Sequence, residues 1–345
     1  MTKVYVGMSG GVDSSLTAAL LKEQGYEVTG VYMKNWTQDL PGMKCPWADD
    51  LADAKRVAVQ LGIDFKVFDF ESEYKHKVVD YMIEEYKLGR TPNPDVMCNQ
   101  EVKFKLFLET ALEDGADMIA TGHYARVENG VLKQAVDTNK DQTYFLYRIS
   151  ETALLKTLFP LGDYTKPTVR DMAKARGLYT ATKKDSQGIC FVGQIGIREF
   201  LSQYVEQVAG SIIDKKTNKI LGQHDGAIFY TIGQRHGLDV GGGFPYYVVG
   251  KDMAKNEVYV TTDLNDNTLW QPTLHLTSVH WINKTTAEGT VTVRVRHRAK
   301  LSEAMLHYED SGVSLNLTDP ERAVASGQSV VIYEGDICLG GGIVV

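Results

Sequence analysis

The chain has 345 residues, 43% hydrophobic and 23% charged, an ordinary globular composition with room for two or three domains. No apolar run is long enough for a bilayer span, and four cysteines without a Cys-x-x-Cys pair argue against a disulfide scaffold or a zinc site. A cytoplasmic, reducing setting is expected. The formal net charge of −7 excludes indiscriminate nucleic-acid binding, so any RNA contact must rest on locally concentrated cations.

Val4 to Val6 read as a first strand that breaks into Gly7-Met-Ser-Gly-Gly-Val-Asp-Ser14, followed by a helical pattern from about Ser14 to Lys22. A strand–loop–helix of this kind aims backbone N–H groups and the positive end of a helix dipole at one point, which suits phosphate. Gly10 and Gly11 let a ligand approach the backbone, while Ser9, Ser14 and Ser15 add hydroxyl donors. The string is neither a Walker loop nor a Gly-x-Gly-x-x-Gly fingerprint. A plain Gly-rich turn is the alternative, though turns rarely need two glycines framed by serines.

Val28 to Met33 is a second strand, Asp50 to Leu61 an amphipathic helix closed by Gly62, and Phe65 to Phe70 a third strand before a helix from about Ser72 to Lys87. This alternation predicts an α/β fold, a doubly wound, mainly parallel sheet with its ligand at the carboxyl ends of the strands. Gly89 to Cys98, stiffened by Pro92 and Pro94, precedes a helical pattern over 99–113, so Asp95 and Cys98 are expected just ahead of a helix N-terminus. Asp117 to His123 is a strand ending at the site, and Asn129-Gly130 marks a hairpin. Lys140 to Tyr147 has a polar lead and an aromatic tail. Lys166 to Arg176 is a short helix stopped by Gly177, and a polar loop from Lys183 carries Cys190.

Beyond about Gln207 the helical patterns vanish. Residues 212–213, 228–230, 246–249 and 258–260 read as strands, and from about Gln271 come 291–298, 314–317, 330–333 and 340–345. Closely spaced strands favour a small barrel. The expected division is a catalytic α/β domain over 1–206, a small β-rich domain over 207–270 and a C-terminal β-barrel over 271–345.

Cys98 is the sharpest of the four cysteines. A helix dipole with Lys103 and Lys105 nearby favours thiolate, and Asp95 could relay a proton; a buried small hydrophobe is an equal reading. Cys190, after Gly188 and downstream of Lys183-Lys184, reads as a thiol on an electropositive loop, but nothing in the sequence brings the two together. Cys338 is expected in a core and Cys45 on an exposed loop. Arg294, Arg296, Arg298 and Lys300 alternate with Val293, Val295, His297 and Ala299, so a strand would put all four cations on one face. A solvated edge strand gives the same pattern. His123 is either an acid–base group or a structural histidine.

Six strings together resemble the bacterial tRNA-specific 2-thiouridylases over essentially the full length. They are Gly7–Ser14, Thr91-Pro-Asn-Pro-Asp-Val-Met-Cys98-Asn, Ala120-Thr-Gly-His-Tyr124, Asn139-Lys-Asp-Gln142, Asp185-Ser-Gln-Gly-Ile-Cys190-Phe, and Gly335-Asp-Ile-Cys-Leu-Gly-Gly-Gly342. The loop alone is shared by many ATP enzymes; the two cysteine strings in this order are specific. The resemblance implies an adenine-nucleotide-alpha-hydrolase-like fold and sulfur insertion at C2 of the wobble uridine of tRNAs for Lys, Glu and Gln. It implies ATP, with Mg2+, on Gly7, Met8, Ser9, Gly10, Gly11, Val12, Asp13 and Ser14, with Met33 and Gly122 at the adenosine. Cys190 would carry persulfide sulfur supplied by a cysteine desulfurase or sulfur-relay protein. Cys98 would be the nucleophile, and a Cys98–Cys190 disulfide would close the cycle. Asn93, Pro94 and Asp95 would meet the target base, with Asp95 the proton acceptor. His123, Lys140, Asp141, Gln142, Arg296, His297 and Gln328 would meet tRNA, although the family often has an aromatic residue where His297 stands. Another AMP-forming ligase with the same loop, or a nucleotide-binding module without turnover, would not depend on the two cysteines.

Overall fold

A computed structural model describes residues 1–39, 45–185, 196–241, 243–283 and 287–345. The N-terminal lobe carries β1 (Lys3–Gly7), β2 (Glu27–Lys34), β3 (Asp64–Asp69), β4 (Met118–Ala120), a hairpin of β5 (Arg126–Glu128) and β6 (Val131–Lys133), and β7 (Thr157–Leu158). Five of these form a parallel sheet in the order β3-β2-β1-β4-β7. Side chains alternate across it. Val4 and Val6 pack with Ala18 and Leu21 of α1 (Val12–Glu23) and Ala54 of α2 (Trp47–Leu61), whereas Tyr5 joins Phe107 and Ile119 on the other face. Gly62 caps α2 in the left-handed conformation, φ 59°. The strand order reverses between β1 and β4, so the crevice for a ligand opens beyond Gly7 and Ala120.

The central lobe is a four-stranded sheet in the order β10-β11-β8-β9, built from β8 (Gly210–Asp214), β9 (Ile220–His224), β10 (Tyr247–Asp252) and β11 (Glu257–Thr261). Residues 228–230 are not a strand. The Gly226 N–H donates to His224 Nδ1 at 2.9 Å and the Ala227 N–H to Asn256 Oδ1 at 2.8 Å. With those donors taken by side chains, the chain turns through a 3-10 turn at Ala227–Phe229.

The last lobe contains β12 (Trp270–Trp281), β13 (Gly289–Arg294), β14 (Ser302–Glu309), β15 (Gly312–Arg322), β16 (Ser329–Glu334) and β17 (Ile337–Val344). They run β12-β15-β14-β13-β16-β17, and β12 pairs back with β17, closing an antiparallel six-stranded barrel around Leu276, Val293, Leu306, Leu315 and Ile332. The β5–β6 hairpin, turned by Asn129 (φ 50°) and Gly130 (φ 78°), adds to the barrel's outside, with Lys133 opposite Ile337.

The 141–147 segment plugs the N-terminal lobe into the barrel wall. Arg294 on β13 is 7% exposed and donates to the Asp141 carboxylate (2% exposed) at 2.7 Å. Tyr144 OH donates to Ser329 O at 2.9 Å, and Thr143 Oγ1 and Tyr333 OH lie 3.1 Å apart. The expected cationic stripe over 294–300 therefore does not form. β13 ends at Arg294, the Ala299 N–H returns to Arg296 O at 3.0 Å, and Arg298 takes φ 64°, so the alternation is lost in a turn.

Candidate active site

The loop after β1 is closed by its own hydroxyls. The Ser9 N–H donates to Ser14 Oγ at 3.2 Å, Ser14 Oγ donates to Gly11 O at 3.2 Å and Ser15 Oγ to the same oxygen at 2.7 Å. Met8 is buried, its N–H on Val31 O at 2.8 Å, while Ser9 is exposed. The glycines do three different jobs. Gly10 (φ 72°) lies against the Asp50 backbone, where a Cβ would overlap the carbonyl oxygen. A Cβ on Gly122, beyond β4, would stand 2.8 Å from Ser14 N and 2.9 Å from the Asp13 carbonyl carbon. Among the described residues a Cβ on Gly11 would meet only Ser9 Oγ, at 3.5 Å. Gly10 and Gly122 thus let α2 and β4 close on the loop, and Gly11 leaves its front clear of the other described residues. Met33 sits beside them, its methyl 3.0 Å from where a Gly7 Cβ would be.

The segment carrying Asp95 and Cys98 differs from expectation. Asn93 Oδ1 accepts from the Asp95 N–H at 3.1 Å and the Val96 N–H at 3.3 Å, and Pro94 takes the first helical position. The helix therefore starts at Pro94, five residues earlier than the apolar pattern suggests. Asp95 lies in its first turn, half-buried, and Cys98 lies inside the helix, 2% exposed, where the backbone widens into π turns over Cys98–Leu106. Cys45, expected on an exposed loop, is 8% exposed: its Sγ faces Trp36 O at 3.6 Å, and burial pushes its thiol pKa up. Cys338 is core, as expected. No disulfide joins Cys45, Cys98 or Cys338, and Cys190 lies outside the described residues.

A charge network that local sequence could not reveal flanks the loop. Lys166, 8% exposed, donates to both Asp13 oxygens at 2.7 Å and pairs with Asp185 at 2.9 Å. Tyr124 OH donates to Asp13 Oδ1 at 2.9 Å. Asp185 also pairs with Lys140 at 2.8 Å and Arg170 at 2.6 Å; burial would raise its pKa, but Lys140 and Lys166 pull it down to about 2. Two residues earlier, Lys183 pairs with Asp50 and Asp53 of α2. The stem entering the Cys190 segment is thus held to both helices that flank the glycine loop. A lysine next to a proline at a helix start gives no hint of burial; the signal was absent.

The residues expected to meet RNA fall into two groups. His123, Lys140, Asp141 and Gln142 cluster beside the loop. His123 Nδ1 lies 2.8 Å from Thr121 Oγ1, its ring packs on Phe104 and Phe159, and burial holds its pKa well below the ordinary value, so it is neutral at pH 7. Gln142 Oε1 accepts from the Tyr124 N–H at 2.9 Å, and Asp141 is enclosed by Arg294, Thr143 and the Ala135 N–H. Asp141 is therefore a structural anchor in this conformation, not a surface group. Arg296, His297 and Gln328 gather at the barrel rim: Arg296 donates to Arg322 O, His297 stacks 4.5 Å from Phe145, and Gln328 Oε1 accepts from the Ala325 N–H at 3.0 Å. Among the described residues no group of three or more His, Cys, Asp or Glu is placed to hold a metal ion, and no helix is long and apolar enough to cross a membrane.

Three family models match in succession: a tRNA methyl transferase HUP domain over residues 2–194, a tRNA methyl transferase PRC-barrel domain over 198–262 and an aminomethyltransferase β-barrel domain over 271–344. A tRNA-specific 2-thiouridylase MnmA of Listeria monocytogenes serotype 4a is 48% identical over 350 residues, 99% of this chain and 94% of the relative. The protein of the same description from Enterococcus faecalis is 47% identical over 356 residues, 99% of this chain and 95% of the relative. That from Bacillus cytotoxicus is 46% identical over 357 residues, covering 99% and 94%.

Proposed function

The chain belongs to the tRNA-specific 2-thiouridylase family, and on that footing we propose how its residues divide the work. It is a tRNA sulfurtransferase that uses ATP. Gly7 to Ser14 hold the triphosphate, with Met33 and Gly122 against the adenosine. The observation that supports this most directly is Gly11 at a helix N-terminus, its front clear of the other described residues, between walls closed by Gly10 and Gly122. Mg2+ would be held chiefly by the nucleotide's own phosphate oxygens and would offset their charge; Asp13, the carboxylate at that end of the site, is engaged by Lys166 and Tyr124.

The C2 oxygen of the wobble uridine, in tRNAs for Lys, Glu and Gln, attacks the α-phosphate and releases pyrophosphate. A carbonyl oxygen leaves poorly, whereas AMP leaves well, so adenylation makes C2 open to sulfur. The terminal sulfur of a Cys190 persulfide, loaded by a cysteine desulfurase or relay protein, bonds to C2 as AMP departs. The Cys98 thiolate then attacks Cys190 Sγ. The sulfur–sulfur bond breaks toward the base, leaving thiouridine and a Cys98–Cys190 disulfide for an external thiol to reduce. Asn93, Pro94 and Asp95 meet the base, with Asp95 taking a proton. His123, Lys140, Gln142, Arg296, His297 and Gln328 meet the tRNA, and Asp141 acts indirectly by anchoring Lys140 and Gln142. The 1–206 domain holds both cysteines, 207–270 is the central domain, and the 271–345 barrel contacts tRNA.

The descriptions of the family models favour a second reading, methyl transfer to tRNA. One experiment separates the two. Unmodified tRNA is incubated with ATP and a persulfide donor, or with S-adenosylmethionine alone, and its nucleosides are weighed by mass spectrometry. Sulfur in place of oxygen at the wobble uridine, with one AMP formed per base, is expected in the first mixture only. A methylated nucleoside in the second, with no thiolation in the first, would refute the proposal.

A further inference from the structure

Most arginines pair with a carboxylate; five do not among the described residues, namely Arg148, Arg235, Arg296, Arg298 and Arg322. No residue outside the description is an Asp or Glu, so no side-chain carboxylate is hidden there. Arg148 is spent on Gln100 Oε1 and Ser278 O. Arg296 and Arg322 lie at one seam where all three lobes meet, and Arg235 and Arg298 follow within two residues of it. Arg296 donates to the carbonyls of Arg322 and Ala323, and Arg298 follows two residues on. Gly233 of the central lobe lies so close to Ala323 that a Cβ on it would overlap the alanine methyl, which brings the turn carrying Arg235 to the same edge. Thr91 completes the junction, its N–H on Ser326 O at 2.7 Å and its hydroxyl 3.2 Å from that of Thr231.

Arg322 is the oddity within this seam. Its guanidinium stacks on Tyr247 at 4.9 Å, yet Nε and Nη2 are buried without a hydrogen-bond partner among the described residues. Burying unmatched charged donors is costly. The uncompensated charge attracts a polyanion to the seam, where arginine's fixed fork matches phosphate. The seam also adjoins Thr91, two residues before the Asn93–Cys98 stretch, so a chain held here is led to that stretch.

We infer that this seam is a phosphate clamp on the RNA chain, with Arg322 of the barrel and Arg235 of the central lobe as members. The inference rests on the tRNA-thiolation reading and extends it by giving the central lobe a part in binding. The test measures binding of an unmodified tRNA transcript to the full-length protein between 50 and 200 mM salt. Each lost phosphate contact lowers the log–log salt slope by about 0.7–0.9, so a variant's affinity should fall about three-fold less over that range than the wild type's. Arg235→Ala and Arg322→Met are each expected to show this, with tRNA KM raised and the rate at saturating tRNA kept. Arg56→Ala, on α2 and paired with Asp53, should match wild type. A folded Arg235→Ala protein with the wild-type slope would overturn the clamp, as would an equal change in Arg56→Ala. If wild type thiolates tRNA while the arginine variants keep its slope, only the clamp falls; if wild type thiolates no tRNA, the parent reading falls first.

Discussion

Alanine at each of three glycines separates building the loop from admitting the ligand. At Gly11 the backbone is extended (φ −95°) and, among the described residues, a methyl meets only Ser9 Oγ at 3.5 Å, an ordinary contact. Alanine is a poorer N-cap than glycine, which costs about 0.5–1 kcal/mol, but it restricts the unfolded chain by about 0.4–1 kcal/mol, so stability should hardly move. The methyl would stand where a phosphate approaches the helix N-terminus. Losing one charged hydrogen bond costs about 1.5–3 kcal/mol, or roughly 10- to 150-fold in kcat/KM for ATP. At Gly122 the methyl stands 2.8 Å from Ser14 N, so the first turn of α1 must yield by about 0.5 Å. That should cost about 1–3 kcal/mol of stability and about ten-fold in rate. At Gly10 the left-handed backbone adds about 1–2 kcal/mol to a collision with the Asp50 carbonyl, so both stability and activity should fail. Thermal melts and pyrophosphate release across an ATP series, with tRNA present, read the two effects apart. A Gly11→Ala protein that melts normally and keeps the wild-type KM for ATP would refute the account of the loop.

Cys190→Ser should release pyrophosphate with tRNA yet form no thiouridine, whereas Cys98→Ser should retain a persulfide on Cys190; peptide mass spectrometry distinguishes them, and a double Cys→Ser variant that still thiolates would remove both residues from the mechanism. Breaking the buried Arg294–Asp141 pair should cost about 3–5 kcal/mol in urea unfolding. Asp141→Ala should be the worse variant, because the Arg294 Nε already lacks a partner, while Asp141 keeps Thr143 and the Ala135 N–H when Arg294→Met is made. Burial lowers the folded-state pKa of His123, so it adds no pH dependence above its unfolded pKa near 6.5. Below that value the unfolded chain binds the extra proton and stability falls with pH, and His123→Phe should flatten this acid limb. Since a neutral ring displaces no counterion, His123→Phe should also leave the salt slope of tRNA binding unchanged.

Much of the N-terminal lobe was legible because its signals are local. The β1 apolar run, the paired glycines, Gly62 as a helix stop and Asn129-Gly130 as a hairpin each act within a few residues. The Cys98 helix starts earlier than the apolar pattern predicts because Asn93 and Pro94 suit a cap and a first turn as well as a stiff lead-in. The 294–300 stripe failed for a tertiary reason. Alternation predicts faces only while the strand lasts, and Tyr144, Asp141 and the turn at Arg298 claim the residues at its end. Cys45 is buried for a like reason, held by Trp36 and Asp39 from the segment that follows β2. Neither Lys166 between two aspartates nor the unpaired Arg322 has any local signature, since each depends on partners far along the chain.

The hairpin that leans on the barrel also bears on synthesis. Arg126 finds Asp336 at 2.8 Å, 210 residues further along the chain, and Lys133 lies opposite Ile337. At about 5–20 residues per second, β6 emerges from the ribosome some 10–40 s before the strand that covers it. For that interval it is an open edge, the kind of surface on which nascent chains join one another. Its three-residue length and the charges of Arg126, Glu128 and Lys133 make it a poor template for a stranger. A chain stalled before β17 would keep that edge uncovered indefinitely, with Asp141 still waiting for its arginine if β13 is missing as well.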